Sequence, residues 1–436
     1  MIKSVSIKNF RSIENQKVEL TPIVFIYGNN AAGKSSLFYS FNILRNIVSN
    51  PNQPIDSFFS LGFANLGSFK KVVTKHDETK TITISIDGLV GKVNFTYGVK
   101  INPKRSEFFL HLDKPYSLEF SLPVTFPYPL NLNVENPVTF DDVEYKINWN
   151  GVTAQVSSTI ATPTDSSNKK IREITFLLNK IAELIRSVDL VSVRRGFFEP
   201  QYGAVNITQF PIKEEEVASV LAVDENLDHQ VNSYLEQMIG RQFRAKPKLG
   251  TSLAELTTID PEAKINSDVV NDGFGVNQLV FVLAKMLNKS IHTVCLEEPE
   301  SNLHPGAVRK LPQSFIEIAK KENKQLIITT HSEALIIAML SAVAKGEVAK
   351  EDVSFYLTLR QSDTGITSFE KQEVSEEGEI PGGLKSFMAG ELEDIKGFFK
   401  SKRGKKNVEK MVDDNTQIAH QDSTENQNTI EKPLEQ

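Results

Sequence analysis

The run Gly28-Asn29-Asn30-Ala31-Ala32-Gly33-Lys34-Ser35 follows the spacing G-x-x-x-x-G-K-[ST], with Ser36 directly behind it. Its chemistry is phosphate binding. The glycines let the backbone curl so that N–H groups and a following helix N-terminus face a β-phosphate. Lys34 then reaches the β/γ oxygens, and the Ser35 hydroxyl is placed to ligate Mg²⁺.

Three more groups could complete such a site. The stretch from His292 to Glu300 reads as a short strand ending in Glu297, Glu298 and Glu300, and an acidic strand end can hold a metal and orient a water. Downstream, Gln325 to Thr330 is a second short apolar strand, and His331 follows where it could donate a hydrogen bond to a γ-phosphate. Upstream, the segment Asn271 to Gln278, with Gly273 and Gly275, leads into the apolar helix LVFVLAKML and forms an anion-facing cap. Taken singly these are a solvated strand edge, a structural histidine and a capped turn. The phosphate loop and the chain order favour the functional reading of the first two.

The elements that must position them are visible as periodicity. The runs VSIKNF, KVEL and IVFIYG open the chain, the last uniformly apolar as in a strand buried on both faces. A helix follows, with Leu37, Phe41, Leu44 and Val48 at helical spacing and Asn50-Pro51 as its stop. From about residue 81 to 160 the period becomes two (Ile82, Ile84, Ile86; Val93, Phe95, Tyr97, Val99, Ile101), which predicts antiparallel sheet. Ile171, Ile174, Leu178, Ile181 and Ile185 predict a helix over 171–186. After residue 265 helix and strand signals alternate, which predicts a parallel sheet completed by late strands. Expected segments are 1–75 and 265–395 for the nucleotide-binding unit, 76–165 for a β-rich antiparallel subdomain, 166–264 for a helical and irregular insertion, and 396–436 for a tail.

Composition sets the outer bounds. The 436 residues carry 49 Lys and Arg against 55 Asp and Glu, so any nucleic-acid surface must be local. One cysteine, Cys295, excludes an intrachain disulfide and fits a reducing compartment. MIKSVSIKNF lacks a signal-peptide core and no run approaches 18 apolar residues, so the expectation is a cytoplasmic protein without a membrane partner. Seven basic residues between Lys396 and Lys410, followed by a polar acidic stretch, predict a flexible tail.

In order, the phosphate loop, glycine-rich cap, EEPE strand end and strand-TTHS resemble the ABC-type ATPase heads of the SMC-like and overcoming-lysogenization-defect (OLD) families. The opening IKNFRSI, GFGVNQ, EEPESNLHP and TTHSE are similar to the OLD branch, over residues 1–75 and 265–390. The resemblance implies an α/β ABC-type P-loop ATPase head, a mixed sheet with flanking helices carrying a β-rich antiparallel insertion and a helical segment. It implies ATP and Mg²⁺ as ligands and a homodimer or higher oligomer of heads. Each ATP would be held by Lys34 and Ser35 of one subunit and by the Gly273 to Gln278 segment of the other. It further implies that Glu297 serves the metal, that Glu298 is the catalytic carboxylate, that His331 senses the γ-phosphate, that Ser301 to His304 face the second subunit, and that Arg11 lies near the nucleotide.

Two departures from ABC transporters, Glu297 in place of Asp and GFGVNQ in place of LSGGQ, argue against membrane transport. No glutamine is assigned to a Q-loop, and Asn288-Lys289 and Asn323-Lys324 lack the base-reading N-K-x-D pattern of GTPases. OLD proteins typically add a Toprim nuclease domain, and the nearest acidic cluster, Gly390 to Asp394, has no D-x-D, so an ATPase beside a separate effector is expected. That effector could be a nuclease, nucleic acid is the other candidate partner, and anti-phage defence or DNA maintenance is the expected setting. The alternative is a slowly hydrolysing, nucleotide-locked scaffold that stores the effector.

Overall fold

Ile23–Tyr27 offers no charged side chain to turn toward water, and all five of its residues are buried. A strand of this kind must be covered on both faces. In the computed structural model it lies inside a six-stranded sheet ordered Val188–Val191, Thr293–Glu297, Gln325–Thr330, Ile23–Tyr27, Val353–Arg360, Thr367–Gln372. The first five are parallel neighbours and the last is an antiparallel edge. Parallel pairs need long crossovers. Here the helices Lys34–Ser49, Phe274–Leu287, Leu311–Lys321 and Glu333–Ala344 supply them.

The structure describes residues 1–384 apart from 131–134, 141–142, 159–164, 208–212 and 249. Residues Met1–Pro381 make one compact unit. The tail from 396 onward and the acidic cluster Gly390 to Asp394 lie outside the described residues.

A second six-stranded sheet, wholly antiparallel, runs Ile13–Glu19, Ile2–Phe10, Ile82–Val90, Val93–Ile101, Ser106–Leu112, Leu118–Val124. Alternation puts every second residue inside, as in the strictly alternating Leu118–Val124. Ile2–Phe10 pairs with Ile82–Val90 from Ser4 opposite Asp87 to Lys8 opposite Thr83. The opening strands and the β-rich segment therefore share a sheet that crosses the division expected at residue 75. One core joins Val5 and Ile7 of this sheet, Leu37, Phe38 and Phe41 of the helix Lys34–Ser49, and Ile181 and Ile185 of the helix Asp165–Arg186.

The segment 166–264 differs from a purely helical and irregular insertion. It supplies Val188–Val191, an edge strand of the parallel sheet paired with Thr293–Leu296. Four residues with an aspartate among them are too short for a periodic signal. The helices Glu214–Val223 and Glu225–Ile239 then pack with a small sheet of Gln201–Gly203, Gln242–Pro247, Leu253–Asp260 and Ile265–Asp268. Asp189 is buried between Arg45 (3.2 Å) and Lys285 (2.5 Å), themselves buried, so one carboxylate ties the phosphate-loop helix and the helix Phe274–Leu287 to this strand.

Candidate active site

Parallel register decides which residues meet. Glu297 lies opposite Thr329, Thr329 opposite Ile26, and Thr330 opposite Tyr27. The next residue along each strand, Glu298, His331 and Gly28, therefore emerges at one edge, the carboxyl end of the sheet. Loops at that edge surround a cavity of about 660 Å³ lined by Asn30, Ala31, Gly33 to Ser36, Glu297, Glu298 and His331, with Arg11 at its side.

The phosphate loop is forced tight by its neighbours. Gly28 has φ +140°, and a Cβ there would stand 2.4 Å from the Thr358 carbonyl oxygen. At Gly33, φ +109°, a Cβ would meet Thr367 Oγ1 at 2.4 Å. The helix Lys34–Ser49 begins without a side-chain cap or an acidic residue in its first turn, so its positive end is open to an anion. Lys34 Nζ donates to the carbonyls of Gly28 (2.9 Å) and Asn29 (3.0 Å). Burial lowers its pKa to about 8, against the pull of Glu298 and Glu300.

Glu297 is buried, and burial pushes its carboxyl above the ordinary carboxylate range while a hydrogen bond from Ser35 opposes this. Its Oε1 has no hydrogen-bond partner. Glu298 follows in a left-handed conformation, φ 43°, that turns its side chain out of the strand. Its Oε1 lies 3.3 Å from His331 Nε2, and this contact, ahead of a weaker opposing burial effect, holds its carboxyl below the ordinary value. Glu300 accepts from Thr330 Oγ1 (2.5 Å) and the His331 N–H (3.0 Å), which fixes the histidine's backbone; burial raises its carboxyl.

Arg11, at φ 53°, places its guanidinium 5.3 Å from the Tyr39 ring centre, and both line the cavity. Gly28, Asn29 and Ala32 shape the loop without lining the cavity; Gly273, Gly275 and Gln278 do not line it either. The GFGVNQ segment is the first turn of the helix Phe274–Leu287, not a turn ahead of a helix starting at 279. Close approach explains the glycine, since a Cβ on Gly275 would stand 2.4 Å from the Asn302 carbonyl oxygen. Gln278 Oε1 accepts from Asn302 Nδ2 at 3.3 Å, so this turn rests on the Ser301 to His304 loop of its own chain.

Several residues at the site carry no signal at the level of motifs. Tyr39 is one helical turn after Ser35 and hydrogen-bonds it. Lys71, Lys75, His76 and Arg360 also line the cavity, and Arg360 Nη1 donates to the Ala31 carbonyl at 3.3 Å. Arg195, buried, donates to the Glu297 carbonyl and, at 2.7 Å, to that of Glu298. The one clue in the sequence is an Arg-Arg-Gly step after a short apolar run.

A parallel sheet whose carboxyl edge gathers a phosphate loop, a paired acidic strand end and a histidine defines a P-loop ATPase with an ABC/SMC-type head. The AAA ATPase domain family matches residues 1–336, and the chain belongs to it. The Old nuclease of Escherichia phage P2 is 22% identical over 393 residues, covering 81% of this chain and 61% of the nuclease. An ATP/GTP phosphatase of Helicobacter pylori is 22% identical over 382 residues, covering 83% of this chain and 93% of the phosphatase. Among solved structures, an SMC head bound to the C-winged helix domain of ScpA shares the fold, with TM-score 0.50 at 11% identity and coverage of 86% of this chain and 98% of that one. The protein is thus an AAA-family ATPase with the fold of an SMC head and a sequence similar to OLD nucleases. Among the described residues no helix is long and apolar enough to cross a membrane.

Proposed function

We propose that the protein hydrolyses ATP in a cycle in which two heads close around the nucleotide and so control a partner, a separate effector protein or nucleic acid. The observation that carries the hydrolytic part is the buried Glu297 Oε1, lacking a hydrogen-bond partner beside the Ser35 hydroxyl. An all-oxygen donor pair of this kind fits a hard cation that fills its other positions with phosphate oxygens and water. Among the described residues no cluster of three or more His, Cys, Asp or Glu forms a self-sufficient metal cage, which agrees with a metal brought by its nucleotide. Ser35 and Glu297 would hold Mg²⁺, which when bound offsets charge on the β/γ oxygens.

The chain's own groups divide the remaining work. Lys34 leaves its loop carbonyls for the γ-phosphate, Glu298 orients the attacking water, and His331, fixed through Glu300, holds Glu298 ionised and faces the γ-phosphate. Arg11 adds positive charge at the nucleotide.

Closure would bring Gly273, Gly275 and Gln278 over the partner's nucleotide. It is supported by a 14-residue helix whose N-terminus has no side-chain cap and whose Phe274 is 70% exposed. The SMC head bound to the C-winged helix domain of ScpA supports a partner for the closed state, and anti-phage defence or DNA maintenance is the setting proposed for it.

The test is small-angle scattering of Glu298→Gln protein with ATP, ADP or no nucleotide. ATP alone should produce association or compaction, because the γ-phosphate that ADP lacks is the group the second head would contact only in the closed state. Phe274→Glu should keep nucleotide binding and abolish that change. It is a cleaner probe than a bulky residue at Gly275, which would push directly on Asn302. Identical profiles with ATP and ADP would overturn the closure mechanism.

A further inference from the structure

We infer that Arg195 and Asn277 are positioning residues that tie the first turn of the helix Phe274–Leu287 to the conformation of Glu298 within one subunit. The inference rests on the reading of Glu298 as the catalytic carboxylate. It begins with strain. A non-glycine residue at φ 43° sits roughly 1–2 kcal/mol above its relaxed conformation and persists only where its surroundings over-determine it. At Glu298 the N–H donates to the Thr329 carbonyl at 2.9 Å, and the carbonyl accepts from Arg195 Nη2 at 2.7 Å. The same guanidinium donates from Nη1 to the carbonyls of Glu297 and Ser192. A planar fork of fixed geometry thus grips both peptide units that flank the turn. Burial lowers the Arg195 pKa to about 10, which leaves it charged at neutral pH.

What holds Arg195 is the next link. Asn277 is buried, and both ends of its amide are engaged by a single residue: Oδ1 accepts from the Phe197 N–H and Nδ2 donates to the Phe197 carbonyl, each at 2.7 Å. Between Arg195 and Phe197, Gly196 takes φ +126°, and a Cβ there would stand 2.7 Å from Asn277 Oδ1. The backbone from 195 to 197 is therefore clamped to the helix that starts at Phe274. A second route reaches the same place, since Gly275 and Gln278 lie against Asn302 in the loop that follows Glu298 to Glu300. Whatever presses on the exposed Phe274 side of this helix moves two tethers that both end at Glu298. The result is a link between occupation of the helix start and the aim of the water-orienting carboxylate.

The test compares Asn277→Ala, Arg195→Lys and their double variant with wild type and Glu298→Gln, measuring kcat, KM, MgATP binding by calorimetry and thermal unfolding. Asn277→Ala and Arg195→Lys should each lower kcat by at least about tenfold while MgATP affinity stays within about twofold, because neither touches the phosphate loop. Lysine keeps the charge and loses the fork, so its failure to rescue isolates geometry. The double variant should be no worse than the weaker single variant, since both break one chain of contacts. In the Glu298→Gln background neither substitution should lower the residual rate further. A wild-type kcat in folded Asn277→Ala, or fully multiplicative losses in the double variant, would overturn the linkage. An active Glu298→Gln would instead remove the reading of Glu298 itself, and the two failures are told apart by that one variant.

Discussion

Raising the pH from 7 to 9 should weaken MgATP binding roughly tenfold, through one lysine. Lys34 is 7% exposed, and burial lowers its pKa to about 8. Its protonated fraction in the free protein then falls from about nine-tenths at pH 7 to about one-tenth at pH 9. A bound triphosphate demands the charged form, so by pH 9 nearly every binding event takes up a proton, and the dissociation constant climbs about fivefold between pH 8 and 9. Stability of the free protein moves the other way. Between about 8 and the ordinary 10.5 the unfolded chain holds a proton that the native chain has released, so unfolding becomes harder as pH rises. Lys324 also titrates near 8, yet it bonds the Asn288 and Ile291 carbonyls at the opposite ends of the strands, away from the cavity. Calorimetry at pH 7, 8 and 9, in buffers of different ionisation enthalpy, reads both affinity and proton uptake. An affinity constant to within twofold over that window, or binding without proton uptake at pH 9, would refute the argument.

Glu297→Gln should raise the Mg²⁺ concentration needed for hydrolysis by at least about tenfold, with nucleotide binding in the absence of metal little changed, as a metal titration would show. His331→Ala removes the contact that holds Glu298 below 4.5, so the acid limb of the pH–rate profile should move up toward that value, in addition to any fall in kcat. The sign follows from a depressed carboxylate, whose favourable contact is complete above 4.5 and lost as pH falls through the lower native value. Asp189→Asn withdraws the carboxylate shared by buried Arg45 and Lys285 and should lower unfolding free energy by about 3–5 kcal/mol in urea titration. A loss under about 1 kcal/mol would show that these cations are held by their other contacts.

Legibility in the sequence followed the range of the interactions. The phosphate loop is four fixed positions within eight residues, and each works through its own backbone or side chain, so a local pattern suffices. The strands Ile23–Tyr27, Thr293–Glu297 and Gln325–Thr330 are read from uninterrupted apolar runs because both faces are covered. The start of the helix Phe274–Leu287 was hidden by its glycines, which read as a turn on propensity. In the structure the close approach of the Asn302 carbonyl outweighs that preference. Arg195, Asn277 and Tyr39 could not be assigned from the chain alone. Arg195 meets carbonyls more than a hundred positions away, and its role exists only after Val188–Val191 has paired beside Thr293–Glu297.

Strained backbone recurs around the site. Arg11, Ala31, Glu298 and Asn302 all have left-handed φ between 43° and 62° without being glycine. Ala31 and Glu298 line the cavity with Arg11, and Asn302 underlies the helix turn beside it. Each such residue is unfavourable by roughly 1–3 kcal/mol and persists only where its surroundings hold it; others, such as Ser117, Lys264 and Asn323, lie away from the cavity. Ala31, Glu298 and Asn302 follow strands of the parallel sheet whose side chains are buried throughout, which can carry the load. Each has a holding contact: the Arg11 N–H donates to the Val72 carbonyl at 2.6 Å, the Ala31 carbonyl accepts from Arg360 Nη1 at 3.3 Å, Glu298 is held by Thr329 and Arg195, and Asn302 Nδ2 donates to Gln278 Oε1. A turn held this way changes shape only if its pins move together. The Arg195 contact of Glu298 and the Gln278 contact of Asn302 both lead to one helix start, the surface proposed above to meet a second head. Under the proposed closure, coupling between docking and hydrolysis needs no flexible lid, because the same contacts that stabilise the strained turn are the ones docking would alter.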